Sequence, residues 1–367
     1  MAIKYLASKR ITGTNAERTA ESLPSGVNAG WKLLGRSTRV SGDKLQVASL
    51  GNYPYYMILA DVKCTSSNTL TPRFTINDDT SGSSGTSGKY ASRASYNGGT
   101  EDTHTFETNS HGLIQTLETS GEKGFIVNYL ANLSGQEKLN ICNTTDTDAG
   151  TGSYAPNRRN KVWKWADNAV VTSVELINIG TGDFGADDEF VVLGYDPTAT
   201  NSENFWEELA TVTSDGTSKT ITSSTFAKKK YLWIQFYANA ETSSGSNASL
   251  QVGTDTISTD YAIRYSWTNG DADYDTGSVT SMVQVEANYG AFGNIFIVNN
   301  DGDEKLAIAS LTYADATGAS TAPTATEVVG KWKTTSGQIN IARLTNTAGG
   351  TPPNYTTSTI MKIWGAD

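Results

Sequence analysis

The sequence predicts an all-β protein: two tandem, homologous, antiparallel β-sandwich domains of jelly-roll-like kind, with a short N-terminal arm. Three observations carry this. The chain repeats itself, its apolar residues alternate with polar ones, and its polar residues are mostly neutral.

The repeat is read from residues that recur in the same order. Trp206-Glu-Glu-Leu-Ala210 follows Trp31-Lys-Leu-Leu-Gly35 after 175 positions (206 − 31). Tyr261 and Arg264 follow Tyr90 and Arg93 after 171 (261 − 90), and Phe296-Ile-Val-Asn299 repeats Phe125-Ile-Val-Asn128 at the same 171. Glu304-Lys-Leu306 repeats Glu137-Lys-Leu139 after 167 (304 − 137), as Lys331-Trp332 repeats Lys164-Trp165. Solenoid repeats run only about 20–50 residues, so a period this long means two whole domains. The expected boundaries are an arm at 1–27, a first domain at 28–197 and a second at 198–367.

Taken in order, the arm comes first. Lys4-Tyr-Leu-Ala-Ser-Lys-Arg-Ile11 is basic and amphipathic, and Asn15–Glu21 is compatible with a helical turn. It has no second copy, so the domain folds without it; its expected use is to dock the protein onto something else. From Trp31 the first domain reads as strands. Lys44–Leu50 alternates with period two, while Tyr55–Val62 is dense enough to be covered on both faces. Pro72–Asn77, Tyr90–Tyr96, Gly112–Leu117, Gly124–Leu130 and Lys138–Cys142 follow. A surface loop is expected at Asp78–Gly88 and a long polar excursion at Asn143–Asn160. Val162–Trp165, Val170–Ile179 and Glu189–Tyr195 close the domain. After a linker at Pro197–Ser202, Asn204–Ala210 has a helical look but takes the strand reading of its counterpart at Trp31. The second series is Thr220–Thr222, Tyr231–Tyr237, Leu250–Val252, Tyr261–Trp267, Ser278–Val285, Asn294–Val298, Lys305–Leu311, Val328–Lys333, Ile339–Leu344 and Thr357–Trp364. Some ten strands per unit suit an eight-stranded jelly roll with extra edge strands.

Composition narrows the function. A net charge of −10 argues against a nucleic-acid partner, whose phosphates need clustered cations. The basic run Lys228–Lys230 leads into a strand and reads as protection of a strand end. No apolar stretch reaches the roughly eighteen residues of a spanning helix, and the N-terminus lacks a secretory pattern. The protein is therefore expected to be made in the cytoplasm without membrane insertion, leaving a cell by lysis if at all. Cys64 and Cys142 have no cysteine counterparts in the second unit, so both read as ordinary strand thiols. Alternation aims Cys142 outward, with Leu139 and Ile141 inward.

No catalytic constellation is legible, and the protein is expected not to be an enzyme. His104 and His111 match no metal spacing, and no nucleophile elbow or phosphate loop occurs. Acid clusters at Asp183–Glu189, Asp271–Asp275 and Asp301–Glu304 fall beside turn residues, where Asp is favoured for geometry alone. Asn299, Asp301, Asp303 and Glu304 nevertheless place hard oxygens over six residues, a candidate Ca²⁺ loop, although without helix-loop-helix spacing. With 17 tyrosines and 8 tryptophans, several fall on polar strands. Tyr96, its repeat partner Trp267, Tyr265, Trp163 and Trp233 are candidates for stacking on sugar rings, against burial in a core.

Certain motifs carry a resemblance. Lys4-Tyr-Leu-Ala-Ser-Lys-Arg-Ile-Thr-Gly-Thr-Asn-Ala-Glu-Arg-Thr19, Trp31–Arg36, Lys89–Arg93 with Asn97-Gly-Gly99, Ala155-Pro-Asn-Arg-Arg159 and Gly180–Tyr195 resemble virion structural proteins of marine tailed phages and archaeal viruses. The likeness covers most of the first domain and the second more faintly. It implies a viral structural protein on the virion (capsid decoration, fibre, or tail and host-recognition component), with the arm as anchor to other virion proteins. A homo-oligomer and a host-surface glycan are the partners it implies. Two alternatives stand beside it: a double jelly-roll major capsid protein, and a carbohydrate-binding or glycan-cleaving β-sandwich.

Overall fold

The computed structural model describes residues 30–38, 42–65, 69–79, 88–99, 102–107, 111–112, 117–118, 120–147, 152–197, 203–240, 245, 247–253, 259–267, 273–285, 289–314 and 316–367. The arm at 1–27, most of the 78–88 loop and linker residues 198–202 lie outside them.

Within these residues the chain is all β, and each half lays down twelve strands in the same order. The first half contains β1 (Gly30–Thr38), β2 (Lys44–Ala48), β3 (Tyr55–Lys63), β4 (Pro72–Ile76), β5 (Tyr90–Tyr96) and β6 (Asp102–Glu107). It continues with β7 (His111–Gly112), β8 (Lys123–Ala131), β9 (Lys138–Asp146), β10 (Asn157–Trp165), β11 (Ser173–Asn178) and β12 (Glu189–Asp196). The second half contains β13 (Glu207–Thr213), β14 (Thr220–Thr222), β15 (Tyr231–Ala238), β16 (Ala248–Val252), β17 (Tyr261–Trp267) and β18 (Asp273–Val279). It ends with β19 (Val283–Val285), β20 (Ala291–Val298), β21 (Lys305–Tyr313), β22 (Thr324–Trp332), β23 (Ala342–Thr345) and β24 (Ile360–Ala366).

An eight-stranded sheet, β1-β12-β3-β8-β9-β10-β5-β6, packs on a four-stranded one, β2-β11-β4-β7. Adding twelve to every label gives the sheets of the second half, β13-β24-β15-β20-β21-β22-β17-β18 and β14-β23-β16-β19. The duplication thus extends to small defects. Edge strands β1 and β13 both bulge at a leucine, Leu34 and Leu209. Each leucine lies against a glycine, Gly194 or Gly365, where a Cβ would come within 2.9 Å or 2.6 Å of it. Tyr90 and Tyr261 likewise correspond, each hydroxyl accepting an N–H from the small sheet, Ile76 or Val252.

Three apolar clusters follow. One fills each sandwich between its large and small sheets. A third lies between the two large sheets and joins Met57, Leu59, Phe125, Val127 and Val191 to Trp206, Tyr231, Phe296, Leu306 and Ile308. The large sheets therefore meet over part of their outer faces, and four layers stack in the order small, large, large, small.

Several expectations are corrected. The Phe-Ile-Val-Asn repeat aligns β20 with β8 four residues out of register: Tyr129 and Phe296 occupy one position, and Phe125 matches Phe292. A slip of four keeps every side chain on its own face, so alternation could not expose it. Cys142 points inward and is fully buried, while Leu139 and Ile141 face out. Both cysteines are buried, and burial raises the Cys142 thiol to about 12. The polar excursion is shorter than read, because β9 runs to Asp146 and β10 starts at Asn157. Asn143–Asp146 and Asn157–Asn160 are strand residues; Arg158 is covered by the second sandwich, paired with Glu327 (2.9 Å) and Asp273 (3.4 Å). Ser278–Val285 is two strands: Ser278 and Val279 end β18, and the chain crosses at 280–282 to β19 of the small sheet. Strand β6 was missed, its Asp102-Thr-His-Thr sequence being polar throughout.

Candidate binding surface

The acid cluster at Asp301–Glu304 sits at the junction of the two sandwiches, in the turn between β20 and β21. Asp303 pairs with Lys63 (2.6 Å) and Lys123 (3.2 Å) of the first sandwich. Burial pulls the Lys123 ammonium down, but the carboxylates of Asp61 and Asp303 outweigh it and leave its pKa raised. Lys230 reaches back to Glu189 (3.0 Å) and Asp61 (3.5 Å), and the Tyr231 hydroxyl donates to Glu189 (2.8 Å). The run at Lys228–Lys230 thus does more than guard a strand end. Buried charges persist only when paired, and this network supplies the pairs.

The four candidate calcium ligands are consumed by the same arrangement. Asp301 Oδ1 accepts the Gly302 and Gly337 N–H groups, and Asn299 Oδ1 accepts that of Ile339. Glu304 accepts the Gly152 N–H (2.6 Å) and pairs with Lys331 (3.4 Å). Oxygens turned toward donors and ammonium groups do not fit a cation loop. Among the described residues no group of three or more His, Cys, Asp or Glu side chains is arranged to hold a metal.

The stacking candidates do not converge. Trp163 is core, packed on Phe74 and Tyr90. Trp233 lies beside Trp206, Phe296 and Trp364 on the junction side of the second large sheet. Tyr96 and Trp267 occupy matching positions of β5 and β17, in different sandwiches. Only Tyr265 and Trp267 come together, and Tyr274 of β18 joins them, with ring centroids 5.1–5.4 Å apart. Tyr265 and Trp267 line a cleft of about 180 Å³ with Ile263, Thr276, Val279 and Gln284.

A larger feature lies on the first sandwich, where the second covers only part of the outer face of the large sheet. Trp31, Tyr55, Tyr129, Leu139, Ile141 and Tyr195 line an open cleft of about 570 Å³. Tyr55 is 47% exposed, Leu139 59%, Ile141 57% and Val162 50%. Their positions are set by strand register. Leu193, Met57, Tyr129, Ile141 and Val162 form one row across β12, β3, β8, β9 and β10. The matching row across β24, β15, β20, β21 and β22 is Trp364, Trp233, Phe296, Ile308 and Val329. In the second sandwich these positions are the junction: Ile308 is 6% exposed and Val329 1%. On the first sandwich Met57 and Leu193 are buried in the junction, while the rest of the matching surface, Ile141 and Val162 with Tyr55 and Leu139, is left uncovered. Sequence reading missed it because it placed Leu139 and Ile141 inside; the recurrence of Leu139-Asn-Ile as Leu306-Ala-Ile was its available signal.

No protein-family model matches the chain, and no curated protein matches it in sequence. Among solved structures it is similar to domains LG4–5 of the mouse laminin α1 chain, at 10% identity over 92% of this chain and 91% of that one, with a TM-score of 0.20. Human GIVD cytosolic phospholipase A2 matches at 6% identity over 77% of this chain and 33% of that one, with a TM-score of 0.12. Likenesses this distant carry no argument.

Proposed function

We propose that this chain is a structural component of a virion, a decoration, fibre or tail protein, acting by assembly and surface binding rather than by catalysis. The observation that carries the reading is the uncovered aromatic and apolar face around Tyr55, Leu139, Ile141 and Val162. Isolated exposed apolar residues are ordinary, but a contiguous face of them on a rigid sheet is a contact surface. The opening motif at Lys4–Thr19 supports the viral assignment, and its arm supplies a second attachment point. The test is to purify particles from cells that make the chain and label them with antibody against it. Labelled particles are expected; chain found only in the particle-free fraction would refute the assignment.

A second reading has its own observation, the three-ring cluster of Tyr265, Trp267 and Tyr274 beside Gln284 and Thr276. Aromatic rings with amide and hydroxyl groups at hand suit a sugar. In this reading the second sandwich presents a host-glycan site. A glycan array probed with the full chain should give signals that Trp267→Ala abolishes, and a blank array would remove this reading.

A further inference from the structure

We infer that two copies of this chain associate face to face through the outer surface of the first large sheet, around a two-fold axis. The inference rests on the assembly reading above and names its partner. Its ground is the asymmetry of the junction. The second sandwich contributes Tyr231, Phe296, Leu306, Ile308 and Val329; the first contributes a shifted region, Leu59, Phe125, Val127 and Val191, and the two overlap at Met57 and Leu193, which match Trp233 and Trp364. The contact is thus heterologous, one surface meeting another. Repeated between copies, such a contact closes a ring or grows a fibre.

Each surface has a duplicate elsewhere on the chain, and the two duplicates differ. On the second sandwich, strand register puts Gln235 at the position of Leu59, Asn294 at that of Val127 and Lys362 at that of Val191. There Asn294 Oδ1 accepts from Trp233 (2.6 Å) and Gln235 (3.1 Å), and Lys362 lies 3.6 Å from Glu208. This duplicate sets bonded polar groups at its centre beside exposed Tyr237 and Phe292, so docking an apolar face onto it would strip those polar groups of water. Head-to-tail contact is disfavoured at that end.

The other duplicate kept its apolar character. Among the described residues, Leu33, Tyr55, Leu139, Ile141 and Val162 make up five of the eleven large apolar side chains that are exposed. All five belong to this one face, and the positions matching Tyr55, Leu139, Ile141 and Val162 (Tyr231, Leu306, Ile308 and Val329) form a sheet-on-sheet contact in the second sandwich. Among the described residues, the large-sheet face of a second copy that exposes most apolar side chains to meet it is its own, five against Tyr237 and Phe292 on the other. Self-complementary pairing of one patch is the isologous, closed arrangement.

The experiment uses the full chain. Sedimentation equilibrium or native mass spectrometry should give a dimer, and Leu139→Lys with Ile141→Lys should weaken it at least about tenfold. Both side chains are exposed in the single copy, so the thermal midpoint of the variant at low concentration should stay unchanged. Phe292→Lys, on the duplicate face of the second sandwich, should leave the dimer intact. Because Cys64 and Cys142 are buried, Ile141→Cys supplies the accessible thiol for a short bifunctional crosslinker, which should join two copies. A wild type that stays monomeric to about 100 μM, or a dimer that survives the double variant, overturns the inference. A monomer that still labels particles would sink the dimer and leave the structural assignment standing; a dimer absent from particles would do the reverse.

Discussion

Leu139 and Leu306 occupy the same position of the same strand in the two sandwiches, yet Leu139 is 59% exposed and Leu306 is wholly buried. One sequence position thus serves as open surface in one copy and as part of the junction in the other. Leu306→Ala is expected to cost about 2–5 kcal/mol, the range for a buried leucine. Leu139→Ala should change the stability of the isolated chain by no more than about 0.5 kcal/mol. Urea titrations at low protein concentration measure both, and equal losses would contradict the assignment of faces.

The duplicated ion pairs make the same contrast in charge. Lys164 and Glu137 meet at 2.8 Å with side chains 42% and 51% exposed. Lys331 and Glu304 meet at 3.4 Å with side chains 0% and 10% exposed. Water screens the first pair, so Glu137→Ala should cost about 0–1 kcal/mol. Glu304→Ala removes the carboxylate from a buried ammonium and an acceptor from the Gly152 N–H; a loss of about 3–5 kcal/mol is expected. The comparison fails if high salt diminishes the Glu304 effect as much as the Glu137 effect.

Asp188 gives the fold a dependence on pH. It is buried, its Oδ1 accepting the Lys63 N–H (2.6 Å) and its Oδ2 that of Gly185 (2.7 Å). Burial raises its carboxyl to about 7; the two N–H groups oppose the rise, Asp61 adds to it and Lys123 opposes it. The folded state therefore holds this proton more tightly than the unfolded one, whose value is 3.8. Its stabilising contribution is full below 3.8 and is lost as pH climbs to about 7. Relative to Asp188→Asn, the wild type should lose thermal stability across that window and run parallel to it above. Parallel profiles throughout would show that Asp188 does not titrate there.

Gly330 corresponds to Trp163, and the two sandwiches fill that space differently. Trp163 faces Ser92, whereas Gly330 faces Ile263. A Cβ at 330 would lie 1.9 Å from the Met282 carbonyl oxygen, part of the backbone itself. Gly330→Ala should cost about 1–3 kcal/mol as an overpacked site. Trp163→Ala leaves a cavity instead and should cost about 3–5 kcal/mol. Calorimetry on each variant decides it, and a neutral Gly330→Ala would mean that the β19 turn can move aside.

How much of this was legible depends on the range of the interaction. Tyr90–Tyr96, Thr220–Thr222 and Tyr261–Trp267 fall where their alternation and turn residues put them. The pairing of Glu137 with Glu304 and of Lys164 with Lys331 was equally plain. Trp163, Trp233 and the Asp301–Glu304 turn stayed open between two readings, because an aromatic or acid on a polar strand looks the same beside solvent or beside another domain.

The sequence by itself determined two like sandwiches, since local periodicity and a duplicated order of residues are properties of the chain alone. Tertiary structure decided which face of each large sheet is covered. Both faces carry apolar residues, and alternation marks a residue's side without saying what lies against it. Burial of Leu306 and exposure of Leu139 therefore follow from the docking of one sandwich on the other, a contact between residues far apart in the chain.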